Sequence, residues 1–218
     1  MATCDPVVDT MVEIWHCNST GVYSGVVASG NGDSSDATNI DKTFLRGLQP
    51  TQFDGVAQFT TLFPGHYTGR ATHTHILAHF NGTINDNATY TGGYVSHVGQ
   101  VFYDQDLITQ VEATTPYSTN TQETTSNTED TIATSEAADG LDPFVNYSLL
   151  GETIEEGVFA WISFGIDLTL EKDVNVAASY YAGGGVANAN SNMGGGGEGG
   201  PGNGTMSGNM TGPPDMRA

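Results

Sequence analysis

The sequence has few cysteines, few basic residues and no long apolar run. Its 218 residues include only Cys4 and Cys17, which excludes a disulfide-rich scaffold, although these two could bond to each other across the first predicted strand. Five Lys and Arg residues against 25 Asp and Glu residues give a formal net charge of −20. Such a charge repels nucleic-acid phosphates and anionic membrane surfaces. Because no run of about 18 apolar residues is present, the sequence also predicts no membrane-spanning helix.

Helical periodicity is scarce as well, whereas short runs of strand-forming residues are common. Turn signals such as Asp54-Gly55 and Pro64-Gly65 separate these runs, as is typical of antiparallel sandwiches and barrels. The sequence therefore predicts an all-β fold, an antiparallel β-sandwich with long loops. The predicted ordered runs are residues 9–16, 44–48, 56–63, 73–80, 94–103, 144–150, 158–166 and 174–181, with one short helical turn within 104–113. Residues 114–140 are predicted to be either a wrapped surface loop or a partly mobile segment.

The C-terminal part of the sequence differs in composition from the rest. Between residues 183 and 212 lie 13 of the 29 glycines, and such a segment cannot bury enough apolar surface to offset its backbone entropy. We expect one catalytic or binding domain over residues 1–182, followed by a Gly- and Asn-rich disordered tail over residues 183–218.

Acceptor sites for N-linked glycans are frequent, which indicates a secreted protein. The six Asn-x-Ser/Thr sequons begin at Asn18, Asn81, Asn87, Asn146, Asn203 and Asn209. No apolar core of a signal peptide is present near Met1. We therefore expect a secreted protein whose signal peptide is absent from this sequence.

Two alternate histidines stand out as a candidate metal site. If residues 73–80 form a strand, then His73 and His75 point to one face, and His79 shares that face. Two adjacent imidazoles are easiest to explain when a metal ion needs both nitrogens. The pair alone does not decide between a metal site and chance alternation. One alternative is a cupin-like site of His73, His75 and His79 with an acidic fourth ligand.

Several separate motifs, in order, resemble those of the intradiol ring-cleavage dioxygenases, most closely their secreted fungal branch. The likeness extends over roughly residues 9–170. The motifs are residues 12–18 with 21–24, 44–51 with 54–55, 63–67, 70–75 and 99–102.

The resemblance implies a non-haem Fe(III), one per chain, bound by Tyr23, Tyr67, His73 and His75. It further implies that a catechol-type diol and O2 are the substrates, that O2 inserts between the two hydroxylated carbons, and that a muconate-type diacid results. Tyr67 would leave the iron and accept a substrate proton. Because a phenolate is a hard anion, two phenolates suit a hard, highly charged cation.

The resemblance also assigns two polar residues to the substrate pocket. Arg70 matches an active-site arginine that stabilises developing negative charge, and Gln100 matches a substrate-binding residue. The chain departs from the intracellular enzymes in the five residues that separate Tyr67 from His73 and in lacking an N-terminal helical segment used for dimerisation. These departures imply a more open site and a monomer. A secreted β-sandwich that binds a partner without catalysis is the non-enzymatic alternative.

Overall fold

The computed structural model describes residues 3–86, 89–188 and 216–217, and it has the predicted all-β fold. The strands are β1 Met11–Trp15, β2 Arg46–Pro50, β3 His73–Phe80, β4 Thr83–Ile84, β5 Thr89–Thr91, β6 Tyr94–Phe102, β7 Asn146–Leu149, β8 Val158–Trp161, β9 Ala178–Tyr181, β10 Gly184–Ala187 and β11 Met216–Arg217. The α-helices are α1 Gln105–Glu112 and α2 Thr131–Glu136, and short 3-10 turns lie at Ala37–Asp41, Tyr117–Thr119, Ala138–Gly140 and Ile154–Glu156.

A four-stranded antiparallel sheet forms the centre of the molecule, in the order β2, β1, β3, β6. Strand β3 has the predicted bounds and lies inside the sheet, so backbone hydrogen bonds hold it on both edges. In this register His75 lies between Trp15 of β1 and Gln100 of β6. A β-bulge in β6, opposite Ala78 and His79, inserts one residue at the far end of the sheet.

The two faces of the central sheet have different roles. On one face, Ile14, Ile76 and Val101 pack against Val145 in the main apolar core. Val145 immediately precedes the antiparallel hairpin of β7 and β8, and Ile162, which follows β8, packs against the same core. Because side chains alternate along a strand, the opposite face carries Trp15, His73 and His75.

Residues 56–63 were predicted to form a strand, and this prediction is wrong. Among the described residues this segment belongs to no sheet, although its partly buried and exposed side chains do alternate from Gly55 to Thr60. Its contacts are made by side chains: Phe59 packs against the main core, and the Thr61 hydroxyl lies 2.8 Å from Nε2 of His16. The alternation in the sequence therefore reflects partial burial of an extended segment that does not pair with another strand.

The helical turn predicted within 104–113 is confirmed as α1, whose N-cap is Asp104. The loop predicted at 114–140 contains a helix that the sequence pattern did not indicate, α2. Its N-cap is the buried Asp130, whose Oδ1 accepts from the backbone amides of Ile132 and Ala133. A six-residue helix rich in Thr and Ser has low intrinsic propensity, and its stability comes from this cap and from tertiary packing.

Two smaller predictions also need correction. Cys4 and Cys17 are both free thiols, and buried Cys17 donates from Sγ to the carbonyl oxygen of Gly65 at 3.2 Å. The predicted tail begins too early, because Gly184–Ala187 pairs with β9 as strand β10. Residues 189–215 of that predicted tail lie outside the described residues. No helix in the described ranges is long and apolar enough to cross a membrane.

Candidate metal centre

The structure brings together the four residues predicted to bind metal. The phenol oxygen of Tyr23 lies 3.1 Å from Nε2 of His73, and that of Tyr67 lies 3.4 Å from the same nitrogen. Nε2 of His75 lies 3.3 Å from Nε2 of His73. Two phenol oxygens and two imidazole nitrogens from three separate segments of the chain therefore converge on one point.

The two histidines are held in their neutral form. Nδ1 of His73 donates to the carbonyl oxygen of Ala71 at 2.6 Å, which leaves the Nε2 lone pair free to face the cluster. Burial, with the nearby His75 and Arg70, lowers the pKa of His73 well below its usual value. Burial and Arg70 likewise lower the pKa of His75 to about 4. At neutral pH both imidazoles are therefore uncharged, which is the form that binds a metal ion.

The two tyrosines reach the cluster from loops. Tyr23 is fully buried, and the side-chain amide of the buried Asn39 fixes its loop by donating to the carbonyl oxygens of Tyr23 and Val26 at 2.8 and 2.7 Å. The Trp15 ring packs edge-on against Tyr23 with centroids 4.7 Å apart. Burial raises the pKa of Tyr23 well above its usual value and that of Tyr67 to about 12. Neither phenol ionises at neutral pH without a cation beside it.

A two-residue turn, Thr68-Gly69, joins Tyr67 to Arg70. The turn is closed by the Arg70 amide, which donates to the Tyr67 carbonyl oxygen at 3.3 Å, and Gly69 adopts φ 90°, a conformation that favours glycine. Backbone amides of the turn are tied to a distant segment, since Gly69 donates to the Thr125 hydroxyl at 3.0 Å. The short connection between Tyr67 and His73 is therefore a tethered tight turn that brings a phenol and a guanidinium close together.

A buried carboxylate holds Arg70 in place. Oδ2 of Asp130 accepts from Nε of Arg70 at 2.9 Å and from the backbone amide of Ala71 at 2.7 Å. Nη2 of Arg70 also donates to Oε1 of Gln100. The side chain of Asp130 is 1% exposed, against 19% for that of Arg70. Sequence reasoning identified Arg70 and Gln100 but missed Asp130, whose only local signal was an Asp ahead of a short Thr-rich segment.

His79 lies in a different group from the other two histidines of β3. Its Nε2 lies 2.8 Å from Oε2 of Glu13, while Oε1 of Glu13 accepts from Nε and Nη2 of Arg46, both at 2.6 Å. The predicted cupin-like site is therefore wrong. Among the residues that the structure describes, no three His, Cys, Asp or Glu side chains form a group that could hold a metal.

The donor set fits a hard cation of high charge. Two neutral imidazoles and two phenols, which become phenolates only beside a cation, would give a ligand set of charge −2. The other histidines are held elsewhere: Nδ1 of His16 contacts the Cys17 carbonyl oxygen at 2.8 Å, and Nδ1 of His66 contacts Glu112 at 2.8 Å. Both residues therefore make structural contacts outside the four-residue cluster.

Comparison with known proteins adds a family likeness to this geometry. No protein-family model and no curated protein matches the sequence. Among solved structures, an intradiol ring-cleavage dioxygenase from Tetranychus urticae is similar, with a TM-score of 0.63 and 27% identity over 78% of this chain and 77% of that chain. A second structure, described as a dioxygenase, has a TM-score of 0.62 and 26% identity over the same shares of both chains.

Proposed function

We propose that this chain, a member of the intradiol ring-cleavage dioxygenases, holds one non-haem Fe(III) and cleaves catechol-type diols with O2. The iron would be bound by Tyr23, Tyr67, His73 and His75. The observation that supports this most directly is the convergence of the two phenol oxygens and the His75 nitrogen within 3.1 to 3.4 Å of Nε2 of His73.

When bound, Fe(III) supplies a Lewis acid that binds the ionised diol and makes its ring reactive toward O2. In the overall reaction both oxygen atoms enter the product: the bond between the two hydroxylated carbons breaks, and each of these carbons becomes a carboxyl carbon. Catechol and O2 thus give muconic acid with no other reactant.

Tyr67 is the residue that we assign to proton transfer. Its side chain is half-buried, in contrast to the fully buried Tyr23, so it is the phenol that a substrate can approach. Because burial raises the pKa of Tyr67, its phenolate is a strong base once it is no longer held by a cation. The Tyr67 oxygen therefore accepts a hydroxyl proton from the diol, while Tyr23 stays as a fixed ligand.

Arg70 supplies the fixed positive charge beside the cluster. Its charge lowers the pKa of His73 and His75 and opposes the rise in the pKa of Tyr67. The same positive charge would stabilise the negative charge of the ionised diol and of the oxygen that bonds to its ring. Gln100 orients the guanidinium from the substrate side, whereas Asp130 orients it from the protein interior.

A metal analysis tests the proposal. Purified protein reconstituted with iron is expected to contain one Fe per chain, to absorb visible light through phenolate-to-iron charge transfer, to show a high-spin ferric EPR signal and to consume O2 with catechols. A colourless protein that binds no iron would support the binding-module alternative. Stoichiometric zinc or manganese without the charge-transfer band would also contradict the assignment.

Substituting Tyr67 separates metal binding from proton transfer. Tyr67→Phe is expected to retain iron and to reduce turnover by about 10²- to 10⁴-fold, the usual contribution of a positioned acid or base. Tyr23→Phe is the matched control, because it removes a phenol from the same cluster and is expected to weaken iron binding itself. If Tyr67→Phe left turnover unchanged, Tyr67 would not be the residue that accepts the substrate proton.

Secretion, the fungal-type branch and a monomeric state belong to the proposal as well. Exposed sequon residues at Asn81 and Asn146 support secretion, and the net charge of −20 opposes self-association. Detection of the protein in culture medium tests secretion, and light scattering after size-exclusion chromatography tests the monomer.

A further inference from the structure

The β7–β8 hairpin exposes two aromatic rings on one side. Phe159 and Trp161 are 54% and 46% exposed, and their ring centroids lie 5.5 Å apart. They are two residues apart in β8, so both point to the same face of the hairpin. Adjacent exposed apolar rings rimmed by polar residues are typical of surfaces that contact another group.

A glycan acceptor lies directly across the hairpin from these rings. In the antiparallel register Asn146 pairs with Trp161, and Ser148 pairs with Phe159. Directly opposed residues place their side chains on one face, with Cβ atoms about 4.5–5.5 Å apart. Asn146-Tyr147-Ser148 is a sequon, and both Asn146 and Ser148 are exposed. The acceptor amide and the exposed rings therefore share one surface.

We propose that Asn146 carries an N-linked glycan whose first sugar covers Trp161 and Phe159. The face of a hexose that bears its C–H groups can pack on an aromatic ring, whose π face carries partial negative charge. This proposal rests on secretion and is independent of the chemistry at the metal centre. A glycan attached to the same face would explain why two apolar rings are exposed on this hairpin.

The modification is a group transfer from a lipid-pyrophosphate-linked oligosaccharide. A bond forms between Nδ2 of Asn146 and C1 of the first sugar, and the bond between C1 and the pyrophosphate oxygen breaks. The amide loses one proton, and the lipid pyrophosphate leaves with the bonding electron pair. No oxidant or reductant is needed.

The other sequons on described residues lack this arrangement. Asn81 is exposed in a left-handed turn with φ 59°, but the nearby Phe80 and Tyr94 are half-buried and stack on each other. Asn18 is half-buried, and its Oδ1 accepts from the Val22 amide and from Thr20. Asn81 is therefore a matched control, an exposed sequon without exposed rings opposite it.

Peptide mapping tests occupancy. The full chain, secreted from a eukaryotic host behind a leader sequence, is treated with an amidase that converts glycosylated Asn to Asp in ¹⁸O-labelled water and is analysed by mass spectrometry. We expect Asn146 to be labelled in most molecules. An unlabelled Asn146 in secreted protein would overturn the proposal, whatever the state of Asn81.

Thermal unfolding tests the contact with the rings. Asn146→Gln is expected to lower Tm by about 2–4 °C, and Trp161→Ser is expected to abolish that difference. Phe159→Ser provides a second background. Asn81→Gln should change Tm equally with and without Trp161. An equal effect of Asn146→Gln in all three backgrounds would refute the contact, as would a dimer that buries Trp161.

Discussion

Two arginines of this protein have similar immediate partners but lie in different surroundings. Arg70 pairs with buried Asp130 and with Gln100, and Arg46 pairs with Glu13, which also contacts His79. Both guanidinium side chains are about one-fifth exposed, at 19% and 21%, and both carboxylates are almost fully buried.

The difference lies in what else each group touches. Asp130 accepts four N–H groups, three of them from the backbone, so its charge stays solvated by amides even without Arg70. Glu13 has two side-chain partners instead, and Arg46 lies over the Trp15 ring, which separates it from the donor cluster. The same ion-pair chemistry would then serve the proposed reaction at one place and the stability of the sheet at the other.

Among substitutions at the two ion pairs, removing the charge of Arg70 is expected to have the largest effect. Arg70→Met keeps the length of the side chain and should reduce kcat/KM by about 10²- to 10³-fold, as for the loss of one transition-state donor. Because Asp130 keeps three backbone donors, Tm should change little. Oxygen uptake and a thermal melt measure the two quantities. A large fall in Tm with unchanged kcat/KM would instead give Arg70 the structural role that we assign to Arg46.

Glu13→Gln is expected to show the opposite behaviour. Breaking a buried pair costs about 3–5 kcal/mol, and we expect the lower end because Arg46 keeps contact with water. Denaturant unfolding should reveal this loss, with iron content and kcat/KM of the folded protein nearly unchanged. Arg46→Met is the partner control. A catalytic defect as large as that of Arg70→Met would contradict a structural role.

The same pair implies a pH dependence of stability. Burial acts to raise the pKa of Glu13, but Arg46 and His79 more than offset it, so the pKa is lowered from 4.5. The stabilisation is therefore fully present above the unfolded-state pKa and is lost as pH falls through the lower folded-state value. Unfolding free energies of the parent and Glu13→Gln should converge below pH 4.5. A constant difference across that range would exclude this linkage.

Asp130→Asn tests whether the proposed reaction requires a fixed position of the Arg70 guanidinium in addition to its charge. An amide NH2 in place of one carboxylate oxygen meets N–H donors on either side, so the guanidinium loses its anchor. We expect kcat/KM to fall about 10- to 100-fold, the usual range for a group that orients a functional residue. The KM and kcat values, read separately, distinguish misplacement from unfolding. Restoration of activity by Asp130→Glu would strengthen the positioning role.

Gln100→Leu is expected to have the smallest effect. Loss of one hydrogen bond to a charged group that keeps its carboxylate partner should lower kcat/KM about 2- to 10-fold. A loss as great as that of Arg70→Met would mean that Gln100 contacts the substrate directly.

The sequence predicted the parts of the site that are local in the chain. Alternation along β3 gave the shared face of His73 and His75, and family motifs supplied Tyr23 and Tyr67, which no local pattern could connect to them. Asp130 was missed because its role depends on a contact with Arg70, which lies 60 residues earlier in the chain. The strand predicted at residues 56–63 failed for a related reason, since pairing depends on a neighbouring edge and not on alternation alone.

The position of Tyr23 in the chain has a mechanical consequence. Tyr23 lies 50 residues before His73, on a loop held at its base by Asn39, whereas His73 and His75 belong to the rigid interior strand. An ion bound by all three would cross-link the chain, closing a long loop in a domain with no disulfide among its described residues. Loading of the centre would then hold loop and sheet together as a covalent bridge does, and its loss would release the Tyr23 loop before the sheet itself melts.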